Sequence, residues 1–512
     1  MKNYFMKLFG QSKKITIIKK LTIKIISVVV FCCIWASIYM RATLFNIGFE
    51  YDEIFTAITT NPTLSFVWLF KHWLLVDVHP PLYNAIIWGW NHLVPYGPEL
   101  WLRLPSFVMG IGALTLAWDY FPMRLGKTAR QLFVALLSCN LFTIAYSQHA
   151  RSYMLMLLLA VPLTFLFVNF SYKINNHKNI TLREWCLFGA ISVFLCWTHY
   201  FGALLFGTFS VVLLLQAWYY KRSLKEFILV PACVFALFLP WLIPNLITQI
   251  KFQRFEGNWW ANQMPYWHWW FTLLYFWASS MKGGFVMGGL LLYAGILCWK
   301  NIAKGKKLSG AYDLMVLGAA ILVFLACVFL VSIKTYMFIN RYFISLLPVL
   351  YLMFAIFFAP FFRKSIVLGL LFICFLLCGM GNFWSQHTNL LNNGDEKMPA
   401  RKIGQIFRDR YPDKEMLVVA MESFPPETMK ALYGFYVNQI YHLNMPVTEL
   451  YYLNESARNE ALSRPNTVVW MPNCVERKLE KLSLMWNSTI YVTDREGTAC
   501  FLTFVPETQS TK

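Results

Sequence analysis

The sequence predicts a polytopic α-helical membrane protein of about eleven spans, followed by a small α/β domain in water. Three observations carry that reading. Of the 512 residues, 58% are hydrophobic and only 14% charged, with a mean hydropathy of +0.49, far outside the range of soluble globular chains. Residues 1–382 consist of long apolar runs separated by short basic segments. Near residue 383 the composition changes to that of a folded aqueous domain.

A spanning helix needs roughly 17 to 25 apolar residues. Runs of that kind lie at 22–40, 102–121, 130–148, 152–170, 184–200, 203–220, 226–245, 284–299, 312–333, 342–360 and 364–382. Seven Lys and no acids fill residues 1–24, and no small-residue cleavage site follows, so the first run reads as a retained span rather than a signal peptide. The connections sort by charge. Arg124, Lys127 and Arg130, Lys173 to Arg183, Lys221 to Lys225, Lys300 to Lys307, and Arg363 with Lys364 all fall on the side of the Lys-rich N-terminus. That side is cytoplasmic by the excess of Lys and Arg, and an odd number of spans then puts the C-terminal domain outside.

Residues 82–94 are too short to cross. Leu82, Ile86, Trp90 and Leu93 recur at helical spacing behind Pro80 and Pro81, as in an interfacial helix on the outer surface. The stretch 259–277, with Trp259, Trp260, Trp267, Trp269, Trp270 and Trp277, suits an outer headgroup belt.

The formal charge of +20 does not mark a nucleic-acid face. Residues 1–382 hold 31 basic and 10 acidic residues against 14 and 15 in the rest, so the excess follows membrane topology. Ten of the 12 Cys lie in apolar runs as small hydrophobes. Cys474 and Cys500 lie in the tail, where a disulfide is permitted if the tail is outside the cytosol. No CxxC occurs, and the single CxxH spacing, Cys196 to His199, has no second ligand pair, so no zinc site is indicated. Two domains result, 1–382 in the membrane and 383–512 outside. In the second, strands are expected at 416–421 and 467–471, a hairpin at 488–493 and 499–505 around Glu496-Gly497, and helices at 399–410 and 425–441.

Four of the ten acids before residue 383, namely Glu50, Asp52, Glu53 and Asp77, fall within residues 50–77 of the first outer loop, 41–101. Charge is costly to hold beside a bilayer, so this concentration marks a working site. The same sidedness brings His79, Arg103, Gln148, His149, Arg151, His199, Tyr200 and Arg341 to the outer surface. Together they offer carboxylates to take a proton and guanidinium groups to hold an anion, at the depth of a lipid head group.

Six segments in this order, Tyr51-Asp52-Glu53, His79-Pro80-Pro81-Leu82-Tyr83, Arg103-Leu104-Pro105-Ser106, Gln148-His149-Ala150-Arg151-Ser152-Tyr153, Thr198-His199-Tyr200 and Asn340-Arg341-Tyr342, resemble glycosyltransferase family 39. That family has the GT-C fold and includes protein O-mannosyltransferases and lipid A aminoarabinose transferases. The resemblance covers roughly residues 20–380. It implies an integral-membrane glycosyltransferase that moves a sugar from a polyprenyl-phosphate donor to an acceptor on the outer face, with inversion at the anomeric carbon. His79 stands where the aminoarabinose branch usually has lysine. The tail lacks the repeats that eukaryotic protein mannosyltransferases insert, so lipid, glycan and protein acceptors all stay open.

The chemistry is coherent on its own terms. A hydroxyl acceptor attacks faster as a general base removes its proton, a task that falls to Asp52, with Glu53 orienting the acceptor or sharing that role. A departing lipid phosphate needs fixed cations, and Arg103, Arg151 and Arg341 supply forks matched to its oxygens, with His79 and His199 as secondary donors and Tyr83 as a further contact. A divalent cation, Mg²⁺ or Mn²⁺, at Asp52 is an option that one acidic pair does not establish. Plainer roles compete with these. The acids also suit a helix N-terminus, the arginines interfacial anchors, and the histidines satisfied interfacial positions. The alternative function, a lipid or sugar flippase, requires ionisable residues near mid-bilayer and related halves, and the sequence has neither.

Overall fold

The computed structural model describes residues 24–43, 47–77, 79–93, 99–256, 265–305, 310–333, 336–362, 364–393, 400–419, 431, 433–450, 453–464, 466–472, 474, 476–486, 488–496 and 499–506. Helix α1 (Lys24–Met40) leads into the first loop, which carries α2 (Tyr51–Thr59), α3 (Phe66–His72) and α4 (Leu82–Asn91). There follow α5 (Glu99–Asp119), α6 (Lys127–Cys139), α7 (Leu141–Tyr146), α8 (Tyr153–Asn175), α9 (Leu182–Cys196), α10 (Tyr200–Tyr219) and α11 (Lys225–Glu256). The membrane part ends with α12 (Tyr266–Ala278), α13 (Met281–Ile302), α14 (Ala311–Ser332), α15 (Leu347–Phe362) and α16 (Ile366–Asn393).

Eight of these are long and apolar enough to cross a membrane: α5, α8, α10, α11, α13, α14, α15 with its preceding 3-10 turn from Asn340, and α16. The protein is an integral multi-pass membrane protein. The other three expected spans correspond to shorter helices: α1, the 15-residue α9, and the pair α6 and α7 in place of a continuous 130–148. The break is at Asn140. Its side-chain oxygen accepts the Phe142 and Thr143 N–H groups, capping α7, while its amide donates to Phe276 O, Ser279 Oγ and Tyr351 Oη.

Helix α4 forms where the interfacial helix is expected. Tyr83, Asn84, Ile87 and Asn91 are buried against the protein, while Ile86 and Leu93 are exposed. Asn84 donates to Thr59 Oγ1 at 2.9 Å and Asn91 to the Thr60 carbonyl at 3.1 Å, so the polar residues pin α4 to α2. Of the Trp-rich stretch, Trp259 and Trp260 lie outside the described residues. Trp267 and Trp270 on α12 are exposed, and Trp269 is buried on Phe338 with ring centroids 4.9 Å apart.

Helix α16 continues past residue 382 to Asn393, so the expected domain boundary falls inside a helix. Beyond it come α17 (Ala400–Arg410), β1 (Glu415–Val418), β2 (Val447–Glu449), α18 (Glu455–Ser463), β3 (Thr467–Met471), α19 (Glu476–Trp486), β4 (Ser488–Glu496) and β5 (Ala499–Pro506). The sheet order is β2-β1-β3-β5-β4, with β1 parallel to both neighbours and β5 antiparallel to both of its own. Met416, Leu417 and Val418 of β1 are all buried, as a central parallel strand covered on both faces requires. Of the expected helix 425–441, residues 425–430 lie outside the described residues, and Phe435–Ile440 forms a π-helical turn. The tip of the β4–β5 hairpin, Gly497, lies outside them too. Cys474 and Cys500 form a disulfide with Cα atoms 5.8 Å apart.

The two parts share a core. Phe49, Ile54, Ile58, Tyr83 and Ile87 of the first loop pack in one cluster with Ile403, Phe407, Met416, Tyr436 and Val437 of the tail. The C-terminal domain therefore sits on the same side as the acidic loop.

Candidate active site

The acidic pair lies in the first turn of α2, where successive side chains point about 100° apart. The consequence is a division between them. Glu53 is fully buried, and each of its oxygens is engaged: Oε1 accepts Arg103 Nε at 2.7 Å and the Ala150 N–H at 2.9 Å, and Oε2 accepts Arg103 Nη2 at 2.5 Å and the Glu50 N–H at 3.0 Å. Burial raises the Glu53 pKa, but the Arg103 charge and hydrogen bonds, His149 and the Ala150 amide outweigh it and hold the carboxyl below its ordinary range. Arg103 also donates to the Ile47 and Gly48 carbonyls at 2.7 and 3.1 Å. This is a buried, fully satisfied ion pair that ties the loop, α2, α5 and the segment before α8 together.

Asp52 faces the other way. Its side chain is 37% exposed, and its Oδ2 lies 3.3 Å from Nη2 of Arg341, itself 34% exposed. Arg151 approaches from below, donating from Nη1 to the Asp52 carbonyl and to Thr56 Oγ1, each at 3.3 Å. Burial tends to raise the Asp52 pKa, but the charges of Arg151 and Arg341, with His79 and His149 behind them, lower it overall. An ionised, reachable carboxylate between two guanidinium groups results.

Around this carboxylate stands a ring of polar aromatics. His79 Nδ1 is 3.1 Å from both Asp77 Oδ1 and Arg151 Nη2, so it donates to the first or accepts from the second according to tautomer. Burial lowers the His79 pKa more than Asp77 raises it, which keeps the ring neutral at pH 7. Asp77 is held by its own carbonyl, which accepts Asn245 Nδ2 at 2.8 Å and Gln249 Nε2 at 3.2 Å from α11. His199 lies 5.0 Å from His79 and 5.0 Å from Tyr342 by ring centroids. Its Nδ1 accepts the Phe201 N–H at 3.1 Å, so the neutral ring carries its proton on Nε2. Among the described residues, His199 Nε2, Tyr153 Oη and Arg151 Nε are buried without a hydrogen-bond partner. Unsatisfied donors gathered in one cluster suit an anion with several acceptor oxygens.

The structure thus brings Asp52, His79, Arg151, His199 and Arg341 together. It turns Glu53 and Arg103 onto each other and away from that cleft. Tyr83 also points into the core, bonding Ser106 at 2.8 Å and joining α4 to α5. The sequence reading gave no role to Asp77, Tyr153 or Tyr342, although each lies within two residues of a flagged His or Arg. A divalent cation does not fit the donor set at Asp52. Its neighbouring carboxylate is locked on Arg103, two guanidinium groups flank it, and among the described residues no three His, Cys, Asp or Glu side chains converge.

Helices, first loop and appended sheet together have the GT-C fold. The crystal structure of ArnT from Cupriavidus metallidurans in the apo state superposes with a TM-score of 0.56 at 12% identity, covering 93% of this chain and 97% of that one. The same protein bound to undecaprenyl phosphate gives 0.55 at 10% identity with the same coverage. No protein-family model and no curated protein sequence matches the chain.

Proposed function

We propose that the protein transfers a sugar from a polyprenyl-phosphate carrier to an acceptor on the extracytoplasmic face, with inversion at the anomeric carbon. The observation that carries this reading is the contrast between the two adjacent acids. Asp52 is an ionised, partly exposed carboxylate, while Glu53 is withdrawn into its pair with Arg103. Asp52 suits single displacement: it takes the acceptor hydroxyl proton as oxygen attacks the anomeric carbon. A two-step retaining route would need a second carboxylate positioned as nucleophile.

The leaving phosphate needs charge rather than a proton. Arg341 and Arg151 supply forked cations, and neutral His199, with His79 in the tautomer whose Nδ1 accepts from Arg151, completes a cradle of fixed dipoles. In the resting site Arg341 is paired with Asp52. A phosphate drawing Arg341 toward itself would leave Asp52 free to act as base. The structure of ArnT bound to undecaprenyl phosphate shares this fold, which supports a lipid-phosphate donor. Topology follows the same reading: the N-terminus in the cytoplasm and the C-terminal domain outside, where the Cys474–Cys500 disulfide would persist.

The test is transfer by the purified protein in lipid nanodiscs, supplied with polyprenyl-phosphate sugars and cell-envelope acceptors. The expected product carries the sugar in inverted configuration. Retained configuration, or no transfer across donors carrying hexoses, amino-pentoses and uronic acids, would overturn the proposal.

A further inference from the structure

Within the shared core, the C-terminal domain hydrogen-bonds the first loop through the Tyr436 hydroxyl. Tyr436 Oη accepts the Phe49 N–H at 2.7 Å and donates to Glu99 Oε1 at 3.1 Å. Glu99 is held in turn by an ion pair with Arg401 of α17. The Phe49 ring packs edge-on against Phe435, with centroids 5.9 Å apart, and the Arg103 guanidinium lies over its other side at 5.3 Å.

The residues fixed in this way are the ones that aim Arg103. Its Nη1 and Nη2 donate to the Ile47 and Gly48 carbonyls, immediately before Phe49, and its Nε and Nη2 grip Glu53. Glu53 accepts the Glu50 N–H at the start of α2 and so sets the first turn that presents Asp52. A continuous run of buried bonds therefore joins Tyr436 to the helix carrying the reactive carboxylate.

We infer that Tyr436 is a positioning residue for sugar transfer: the C-terminal domain holds the Ile47–Phe49 strap, and through Arg103 and Glu53 it sets the orientation of Asp52. This rests on the proposal that Asp52 is the base. The domain is then part of the active site's geometry rather than an appendage to it. Tyr436 touches neither the cleft nor the reacting atoms, so its effect falls on the rate of the chemical step and not on donor binding.

The experiment uses the full-length protein in nanodiscs. Tyr436→Phe keeps the ring and removes the hydroxyl. Expected are a fall in kcat of about ten- to a hundredfold, as misplaced reacting groups give, and a donor KM within about twofold of wild type. Backbone amides of residues 51–59 should exchange hydrogen about tenfold faster, as the loss of one buried bond implies. The paired variant Cys474→Ser with Cys500→Ser loosens the same domain away from the strap, and it should leave kcat unchanged. Wild-type kcat in Tyr436→Phe overturns the inference, as does an equal loss in the cysteine variant. If wild type transfers no sugar at all, the function proposal fails separately. Amide exchange then decides the strap's role alone, faster exchange supporting it and unchanged exchange overturning it.

Discussion

Oδ2 of Asp52 stands 3.3 Å from Nη2 of Arg341, two charges on elements almost three hundred residues apart in sequence, both partly exposed. Asp52→Asn keeps the shape of the side chain and removes its basicity. Transfer should fall by about 10²- to 10⁴-fold, while stability, measured by the detergent melting temperature, should barely move because the site is partly exposed.

The pH profile tests the same assignment. Arg151 and Arg341 hold the Asp52 pKa below its ordinary value of 3.8, and the base works when ionised. Transfer should therefore be flat through neutrality and decline only as pH falls through that depressed value, below pH 3.8. An acid limb near pH 6 in kcat/KM would instead identify a histidine as the titrating base.

Arg341 and Arg151 separate ligand contact from support of α2. Arg341→Lys keeps the charge but replaces a fork with a point, so donor KM should rise and kcat fall together. Arg151 also braces α2 through Thr56 and the Asp52 carbonyl. Arg151→Lys should add a loss of thermal stability that Arg341→Lys does not show, read by melting the two variants side by side.

The polytopic helical class was legible because span length and apolarity are local properties of a sequence. The break at Asn140 was not. No Gly or Pro marks it, and the groups that stabilise it, Phe276, Ser279 and Tyr351, are more than a hundred residues away. Composition likewise placed Asp52 and Glu53 together at the site, since both are acids in a sparse background. Their opposite situations depend on Arg103, fifty residues on, choosing one of two adjacent carboxylates. Helix α4 was read with its apolar stripe correct but its orientation open, because in lipid an apolar face is as content outside as in. The strap at Phe49 and Tyr436 had no sequence signal, since only folding brings positions 387 apart into contact.

Glu53 and Arg103 make the sharpest stability prediction. Removing one partner of a buried pair leaves an uncompensated charge, typically at a cost of about 3–5 kcal/mol. Glu53→Gln should thus lower the melting temperature far more than Asp52→Asn does. Acid should reproduce that loss in the wild type. The folded pKa of Glu53 lies below its ordinary value of 4.5, so its contribution is complete above pH 4.5 and disappears as pH falls through the folded value. Below pH 4.5 the melting temperature of wild type should approach that of Glu53→Gln, and the variant's own curve should be flatter over the same window. Parallel curves would show that the carboxylate does not carry this stability, and the division of labour between the two acids would fall with it.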